Sequence, residues 1–332
     1  MSTHEVKVVP VSLEQHPNAN SLSIVRVNDY TCVVKTADWQ GIDKAVYVEP
    51  DYVVPSSSPH FSWLGEAGAK EITCNNVKGY RVKVKKLRGV VSMGLLVPAP
   101  PDAQIGDDVM QQFGIARYEP PETLSTSGEA GPAPSGFRPV YDVESARKYA
   151  HLFEPGEWVI ATEKVHGCNA RFCCVNGEMF CGSRTEWKRP SNDNLWWKAL
   201  HNTYCLREFC EANQDITVYG EIYGWVQDLR YGHGPGEIGF LAFDLRRGGD
   251  WVPAQEARKM CPVEFVPTIT IEPWDKERFF ALAEGPSLVA DKHGASHIRE
   301  GIVVKPLVER VNVDVGRVQL KIVSNAYLER YE

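Results

Sequence analysis

The sequence predicts an α+β protein of two domains, in which a small β-barrel precedes a larger domain of mixed strands and helices. Residues 1–118 contain short runs typical of strands, residues 119–139 are rich in Pro, Gly, Ser and Thr, and residues 140–332 alternate strand-like and helix-like segments. A chain of 332 residues is long enough for two ordinary domains, each with its own core.

Short β-branched runs make up the first predicted domain, residues 1–118. The runs are VKVVPVS, SLSIVRV, YTCVVKT, AVYVEP, YRVKVKKL and VSMGLLVP. A barrel of five or six such strands suits an OB-fold, whose open face commonly binds oligonucleotides. Other small barrels would give the same pattern, so an OB-like barrel is the expectation at this point.

One strand of this domain has a basic face. In YRVKVKKLR, the alternation places Arg81, Lys83 and Lys85 on one face and Val82 and Val84 on the other. The basic face would suit a phosphate backbone, and it would equally suit the wet outer side of a half-buried strand.

The segment EPPETLSTSGEAGPAPSG, residues 119–136, opens the predicted linker, which runs to residue 139. It has little that a core would bury. A long surface loop within one domain is the alternative, although loops of this length are uncommon in compact domains.

The second predicted domain, residues 140–332, mixes both element types. DVESARKYAHLF predicts a helix with Asp142 as its N-cap, and LWWKALHNTYCLREFCE predicts a longer one. The predicted strands around them are EWVIATEKV, ARFCCV, EMFCGS, TVYGEIYG, GFLAFDL, EGIVVKP and VQLKIV.

Composition excludes several protein classes. With 43% hydrophobic and 24% charged residues, the chain is neither fibrous nor wholly disordered. The net charge of −7 argues against a protein that coats nucleic acid non-specifically, although it leaves room for a local basic groove. No apolar run approaches the roughly 20 residues that span a bilayer, and the nine cysteines are expected to be reduced and mostly buried. We expect a cytoplasmic protein with no membrane partner; the sequence leaves the oligomeric state open, and a monomer is compatible with it.

Lys164 is the first candidate catalytic residue. In EKVHGCN it ends an apolar strand, and Gly167 allows a sharp turn directly afterwards. A lysine nucleophile must lose its proton, which burial and neighbouring cations favour by lowering its pKa. Most strand-end lysines are simply exposed, so this motif alone is weak.

Four further residues have chemistry suited to a nucleotide. Glu221 lies between two glycines in YGEIYG, where a carboxylate would accept hydrogen bonds from a ribose, and Phe243 of GFLAFDL would stack on a purine. Phe240 is assigned to the core. Lys305 and Lys321, on strands near the end of the chain, would neutralise phosphates. Each residue taken singly also fits an ordinary core or surface position.

The ordered set is more specific than any single motif. EKVHGCN, GSRT, YGEIYG, FLAFDL, REGIVVKP and LKIVS resemble the motifs of the covalent nucleotidyltransferase superfamily, and K-x-H-G, with His166, is similar to the RNA ligase 2-like group. The resemblance covers about residues 155–328 and implies a nucleotidyltransferase domain of antiparallel sheets with flanking helices. It implies an ATP-dependent RNA ligase that joins 3′-OH and 5′-phosphate ends of RNA or of a nicked RNA/DNA duplex, as in RNA repair.

The resemblance also implies a role for each motif residue. Lys164 would attack ATP and carry AMP, and Mg²⁺ or Mn²⁺ would assist, with Glu300 as the acidic residue at the metal. The residues expected at the nucleotide are Glu163, His166, Asn169, Arg184, Glu221, Phe243, Glu300, Lys305 and Lys321.

This sequence departs from the family pattern in two places. The usual K-x-K of the last motif has Val323 in place of its second lysine, and the chain ends too soon after it for a further C-terminal domain. The extra domain is N-terminal, which is similar to the RNA ligase branch with an N-terminal OB module that seals nicks having an RNA 3′-OH strand. An RNA-capping guanylyltransferase and a non-catalytic nucleic-acid-binding protein remain the alternatives.

Overall fold

The computed structural model describes residues 4–118, 128–136 and 138–330. They form two compact units. The N-terminal unit holds residues 4–118 together with 328–330, and the C-terminal unit holds the described residues from 128 to 327. Of the predicted linker, residues 119–127 and 137 lie outside the described residues.

The N-terminal unit consists mainly of short strands. These are β1 (Val8–Pro10), β2 (Glu14–Gln15), β3 (Leu22–Val27), β4 (Tyr30–Lys35), β5 (Lys44–Val48), β6 (Tyr52–Pro55), β7 (Glu71–Cys74), β8 (Val77–Arg81), β9 (Lys85–Leu87), β10 (Val90–Ser92), β11 (Leu95–Pro98) and β12 (Ala116–Arg117), with the short helix α1 (Trp63–Glu66) and a 3-10 turn (Thr36–Trp39). They pair in the orders β1-β5-β11, β2-β3-β4, β12-β6-β8-β7 and β9-β10.

The basic strand of this unit alternates as the sequence predicts. Val82 and Val84 are buried, whereas Lys83 and Lys85 are exposed and Arg81 is half-buried. The ladder is interrupted, since β8 ends at Arg81 and β9 begins at Lys85.

The C-terminal unit continues the numbering. Its strands are β13 (Glu144–Ser145), β14 (Trp158–Lys164), β15 (Cys168–Val175), β16 (Glu178–Gly182), β17 (Trp187–Lys188), β18 (Ile216–Gly224), β19 (Ile238–Arg247), β20 (Asp250–Trp251), β21 (Thr268–Pro273), β22 (Gly301–Pro306), β23 (Val311–Asn312), β24 (Gly316–Arg317) and β25 (Leu320–Val323). Its helices are α2 (Ala146–Tyr149), α3 (Leu195–Asn202), α4 (Leu206–Ala212), α5 (Ala254–Met260), α6 (Lys276–Leu282), α7 (Leu288–Lys292) and α8 (Asn325–Glu329), with a 3-10 turn (Ala150–Leu152) after α2.

Two sheets frame the C-terminal unit. The five-stranded sheet has the order β13-β25-β22-β14-β21 and the six-stranded sheet the order β17-β16-β15-β18-β19-β20. Every pair is antiparallel except β13 with β25. One core lies between the six-stranded sheet and α3, α4 and α5, and a second packs α2 and α6 on the five-stranded sheet. A third, which includes Val165, Tyr223 and Leu241, fills the space between the two sheets.

Two helix predictions are wrong in detail. Ser145, whose hydroxyl accepts from the Arg147 amide, caps α2, whereas Asp142 accepts from Arg184 instead. The predicted long helix is two helices, because Cys205 between α3 and α4 has a left-handed φ of 58° that a continuous helix does not allow.

Part of the predicted linker runs along the edge strand β17. Ala130, in the described part of that linker, forms a β-bridge with Lys188.

Most of the cysteines are buried, as expected, and all nine are free thiols. Within the described residues, no helix has the length and apolar character that a bilayer span requires.

Candidate active site

Lys164 lies at the end of β14, on the face of the five-stranded sheet that is turned toward Glu221 of the six-stranded sheet. In the register of β14, β22 and β25, Lys164 is opposite Gly301, which is opposite Val323. Lys305 and Lys321 share this face because side chains alternate along a strand. Pairing of the strands therefore gathers three motifs that are far apart in sequence.

Gly167 fixes the turn that follows the lysine. A Cβ atom at this position would lie 2.0 Å from the carbonyl oxygen of Ile222 in β18. Only glycine permits so close an approach. The turn therefore holds Lys164 and His166 against the strand that carries Glu221.

Glu300 is the partner of the candidate nucleophile. Its Oε1 accepts a hydrogen bond of 2.6 Å from Lys164 Nζ. Burial opposes the charged form of each group, but the attraction between them prevails: it holds the pKa of Glu300 at about 2 and, with Glu221, raises the pKa of Lys164 above its ordinary value. This corrects the expectation that burial and neighbouring cations lower the pKa of Lys164, because its neighbours here are carboxylates.

His166 sits between two carboxylates. Its Nε2 lies 2.6 Å from Asp228 Oδ1, and its Nδ1 lies 3.4 Å from Glu300 Oε2. Burial lowers the pKa of His166, yet the hydrogen bonds to Asp228 and Glu300 outweigh burial and raise that pKa to about 9. The imidazole is therefore charged at neutral pH and holds Glu300 from the side opposite Lys164.

Asn169 and Glu221 are cross-strand partners on β15 and β18. Burial raises the pKa of Glu221 to about 7, although Lys164 opposes the shift. The Oδ1 of Asn169 is a buried acceptor without a hydrogen-bond partner among the described residues. Buried acceptors are normally satisfied, so this atom fits a ligand with a donor group at this end of the pocket.

Phe243 lies at a β-bulge, which sets the direction of its side chain. Tyr219 pairs with Asp244 and Gly220 with Ala242, so Phe243 is the extra residue on β19. Its ring is half-buried, and its centroid lies 4.4 Å from that of Tyr141. Phe240 packs in the core beneath the sheet, as expected.

Lys305, which the sequence predicts as a phosphate contact, is buried and paired within the protein. Its side chain is only 3% exposed and donates to Asp244 Oδ2 at 2.6 Å and to the Phe243 carbonyl oxygen at 3.1 Å. Asp244 also pairs with Arg317, and these two cations hold its pKa at about 2 against the effect of burial. Because a buried charge needs a partner, Lys305 is committed to the support of Asp244 and Phe243 in this structure.

Arg184 and Lys321 are two further residues that the sequence predicts at the nucleotide. Arg184 donates to Asp142 Oδ1 at 2.6 Å, and the carbonyl oxygen of Asp142 accepts from Gln319 at 3.0 Å. Lys321 is half-buried and lies opposite Val303 in β22. Val323 is also half-buried and packs in the core between the sheets, so it supplies apolar contact where the family pattern has a lysine.

Glu163 is not brought together with the other predicted residues. It is next to Lys164 in β14 and therefore points to the opposite face of the sheet. There its carboxylate accepts from the Ser287 hydroxyl at 2.5 Å and from the Leu288 amide at 2.8 Å. In this structure it holds the start of α7, and its assignment to the nucleotide stays a prediction.

Sequence reasoning missed Asp228, Tyr231 and Arg317. Asp228 and Tyr231 lie in the loop after β18; Tyr231 is fully buried, and its hydroxyl accepts from the His166 amide at 2.7 Å. Nothing in the local pattern of that loop indicates either contact. Among the described residues, no group of three or more His, Cys, Asp and Glu side chains has the arrangement of a metal site.

Comparison with known proteins shows the family of the chain. Residues 157–323, about half of the chain, match the RNA ligase family model. The chain belongs to the RNA ligase family. An OB-fold domain model matches residues 5–99 of this RNA ligase family member, which confirms the predicted N-terminal OB-fold.

Solved structures show the same α+β fold. A mutant of Naegleria gruberi RNA ligase with ATP and Mn is 24% identical, with a TM-score of 0.83 and 98% of each chain covered. The same enzyme with PPi gives 24% identity, a TM-score of 0.83 and 99% coverage of each chain. Protein Early 65 kDa of Autographa californica nuclear polyhedrosis virus is 26% identical over 113 residues, which are 31% of this chain and 20% of that protein. The match thus spans a fifth of the length of that relative.

Proposed function

We propose that this protein is an ATP-dependent RNA ligase that joins 3′-OH and 5′-phosphate ends through AMP bound covalently to Lys164. The observation that carries the proposal is the position of Lys164: a lysine held 2.6 Å from Glu300, beside Glu221 and the unsatisfied Asn169, in a chain of the RNA ligase family. Related solved structures were obtained with ATP, AMP and Mn, which supports the same ligands here.

The proposed first step forms a bond from Lys164 Nζ to the α-phosphorus of ATP, breaks the bond to pyrophosphate and releases one amine proton. AMP then passes from the lysine to the oxygen of a 5′-phosphate. A 3′-hydroxyl oxygen finally attacks that phosphorus, AMP departs, and a phosphodiester bond remains.

Glu300 has to release Lys164 before the amine can attack, because the hydrogen bond between them stabilises the ammonium form. Glu300 would hold Mg²⁺ or Mn²⁺ together with the substrate phosphates, since no separate metal cluster exists among the described residues. The cation would neutralise charge on the departing pyrophosphate. With a cation at Glu300, this carboxylate would attract Lys164 less strongly, and the pKa of the lysine would fall.

The other residues would each contact a different part of the nucleotide. Phe243, backed by Tyr141, would stack on the adenine, and Glu221 would accept hydrogen bonds from the ribose. Asn169 would receive a donor at its unsatisfied oxygen, and Lys321 would lie against the phosphates. Arg184 and His166 would lie at the phosphate end of the nucleotide, where the reaction takes place. We place Lys305 as a support of Phe243 in place of a direct phosphate contact.

Incubation with α-labelled ATP and Mg²⁺ or Mn²⁺ tests the proposal. We expect label on wild-type protein, none on Lys164→Ala, and full label on the control Lys259→Ala, which removes an exposed lysine of α5. Wild-type protein that takes up no label would refute lysine chemistry. Competition between unlabelled ATP and GTP would identify a guanylyltransferase, and binding of nucleic acid without label would identify a non-catalytic protein.

The substrate is proposed to be a nick whose 3′-OH strand is RNA. The N-terminal OB-fold, a fold that commonly binds oligonucleotides, supports a nucleic-acid duplex as partner. A panel of nicks with RNA or DNA on each side, together with single strands, tests this preference. Equal sealing of DNA and RNA 3′-OH strands would contradict it.

A cytoplasmic location is also proposed. The nine cysteines are free thiols, most of them buried, as in proteins of reducing compartments. Fractionation of cells that express the full chain tests this, and recovery of the protein in a membrane or secreted fraction would contradict it.

A further inference from the structure

The loop after β18, residues 225–231, is fastened to the segment that follows the catalytic lysine. Asp228 Oδ1 lies 2.6 Å from His166 Nε2, and the Tyr231 hydroxyl accepts from the His166 amide at 2.7 Å. Leu229 and Tyr231 are buried in the core between the sheets, where Val165 also packs. The loop is therefore a fixed surface beside Lys164 and has little freedom to move away.

Two residues of this loop form an outward platform. The Trp225 side chain is 41% exposed, and the Arg230 guanidinium carbon lies 4.1 Å from the centroid of its ring. The Trp225 amide donates to the Glu237 carbonyl oxygen at 2.8 Å, which fixes the backbone beneath the ring. Neighbouring residues already supply the burial that anchors the loop, so the exposed indole is available for a ligand.

The platform is close to the reacting end of the pocket. Trp225 is three residues from Asp228 and Arg230 is two, so their Cα atoms lie within about 11 Å and about 7 Å of that residue. Asp228 in turn touches His166, two residues from Lys164. A nucleotide whose 5′-phosphate reaches Lys164 would extend over a distance of this size.

We propose that Trp225 and Arg230 bind the terminal nucleotide of the strand that carries the 5′-phosphate, with the base stacked on the indole and the guanidinium near the backbone phosphate. This rests on the proposed ligase function and adds a binding site for the acceptor of AMP. Indole and guanidinium planes are surfaces on which an exposed base face stacks, such as that of the terminal base at a nick, and a guanidinium matches the charge and the fork geometry of phosphate.

The chemistry favours the 5′-phosphate strand over the 3′-OH strand. That end has to be held twice, first as it accepts AMP from Lys164 and then, adenylylated, until the 3′-hydroxyl attacks. A platform fastened to residues 165–166 keeps its position relative to Lys164 through both events.

A double-mutant cycle between the protein and the strand tests the site. The full chain is first labelled on Lys164 with α-labelled ATP, and transfer of AMP to a 5′-phosphorylated RNA in a nicked duplex is then followed. The variants are Trp225→Ala, Trp225→Phe and Arg230→Ala, each with a normal or an abasic 5′-terminal nucleotide. Trp158→Ala is the matched control, because Trp158 is 56% exposed and lies at the other end of β14.

We expect the half-saturating duplex concentration to rise about tenfold for Trp225→Ala on the normal strand and to change less than about twofold on the abasic strand. Trp225→Phe should restore most of the loss, Arg230→Ala should weaken the dependence on salt, and Trp158→Ala should behave as wild type.

Equal losses on normal and abasic strands would overturn the proposal, since they would show a purely structural role for Trp225. The same variants are also tested with an abasic nucleotide at the 3′-OH end. If Trp225→Ala loses its effect only with that substrate, the choice of the 5′-phosphate strand is wrong. If wild-type protein takes no label from ATP, the proposed ligase function is wrong. If it is labelled and seals nicks, but Trp225→Ala and the abasic nucleotide act independently, only the proposed binding site is wrong.

Discussion

Lys164 and Glu300 form a hydrogen bond of 2.6 Å that keeps the proposed nucleophile in its ammonium form. Burial alone would lower the pKa of Lys164, and the negative charges of Glu300 and Glu221 reverse that effect. Activation of the lysine therefore depends on events at Glu300 and does not follow from burial.

Glu300→Gln should move the pH profile of lysine labelling to lower pH. Without this carboxylate, burial is less opposed, so the amine loses its proton at lower pH. Initial rates between about pH 6 and about pH 10, each normalised to its own plateau, measure the shift. The plateau itself should fall, since Glu300 is also the proposed metal ligand. Glu300→Asp keeps the charge and is the control; a profile that stays in place in Glu300→Gln would contradict the prediction.

Nucleotide affinity should depend on the ionisation of Glu221. Burial raises the pKa of this carboxyl to about 7, and the ionised form accepts stronger hydrogen bonds from a ribose, with both oxygens available as acceptors. Binding of a non-hydrolysable ATP analogue should therefore strengthen as the pH rises through about 7 in wild type, and this dependence should vanish in Glu221→Gln. Calorimetric titration at several pH values measures it. The same pH dependence in both proteins would assign it to another group.

Asp228→Ala should release His166. The raised pKa of His166, about 9, reports stabilisation that is complete below the unfolded value of about 6.5 and is lost as the pH rises through about 9. Because the Asp228 side chain is 40% exposed, solvent screens the pair and the loss of stability at pH 6 should be about 1 kcal/mol or less.

NMR titration of the His166 ring should show its pKa falling toward the ordinary value in Asp228→Ala, with a slower transfer of AMP. Asp228→Glu, which keeps the carboxylate, should recover part of both effects. An unchanged His166 titration would show that Glu300 alone sets the charge of the imidazole.

Asp244→Ala should destabilise the C-terminal unit by about 3–5 kcal/mol, because Lys305 and Arg317 would then lack a buried partner. The pKa of Asp244, about 2, implies that this stabilisation is present above the unfolded pKa and is lost as the pH falls through about 2. Urea unfolding at neutral pH measures the change. Glu211→Ala removes the exposed pair with Arg207 and should cost less than about 0.5 kcal/mol; equal losses in the two variants would refute the role of the buried network.

Lys83→Ala with Lys85→Ala tests the basic face of the OB-fold. Both side chains are exposed, so their removal should weaken nucleic-acid binding, reduce the slope of log K against log salt by about two and spare lysine labelling. Lys35→Ala, an exposed lysine of β4, is the control. Deletion of residues 1–118 should also spare labelling while weakening sealing. It is the less direct test, because Leu328 packs in the core of that unit. An unchanged salt slope would show that the basic face is only a solvated surface.

The sequence by itself determined the fold class, indicated an OB-like N-terminal barrel and singled out Lys164 as the proposed nucleophile. Strand alternation predicted the faces of Val82, Lys83 and Val84. The sequence also assigned Phe240 to the core, where the structure places it, and Phe243 to the nucleotide. These features depend on local periodicity, which a single chain displays directly.

Only the tertiary structure decided the electrostatics of the site. Glu300 is 136 residues from Lys164, and Asp228 reaches His166 from a loop without a pattern. The sequence predicts Lys305 as a phosphate contact, and only the structure shows that it pairs with Asp244 on another strand, which Arg317 also binds. The charge state of a buried group depends on what surrounds it in space, and strand pairing brings those groups together across distances that sequence spacing does not encode.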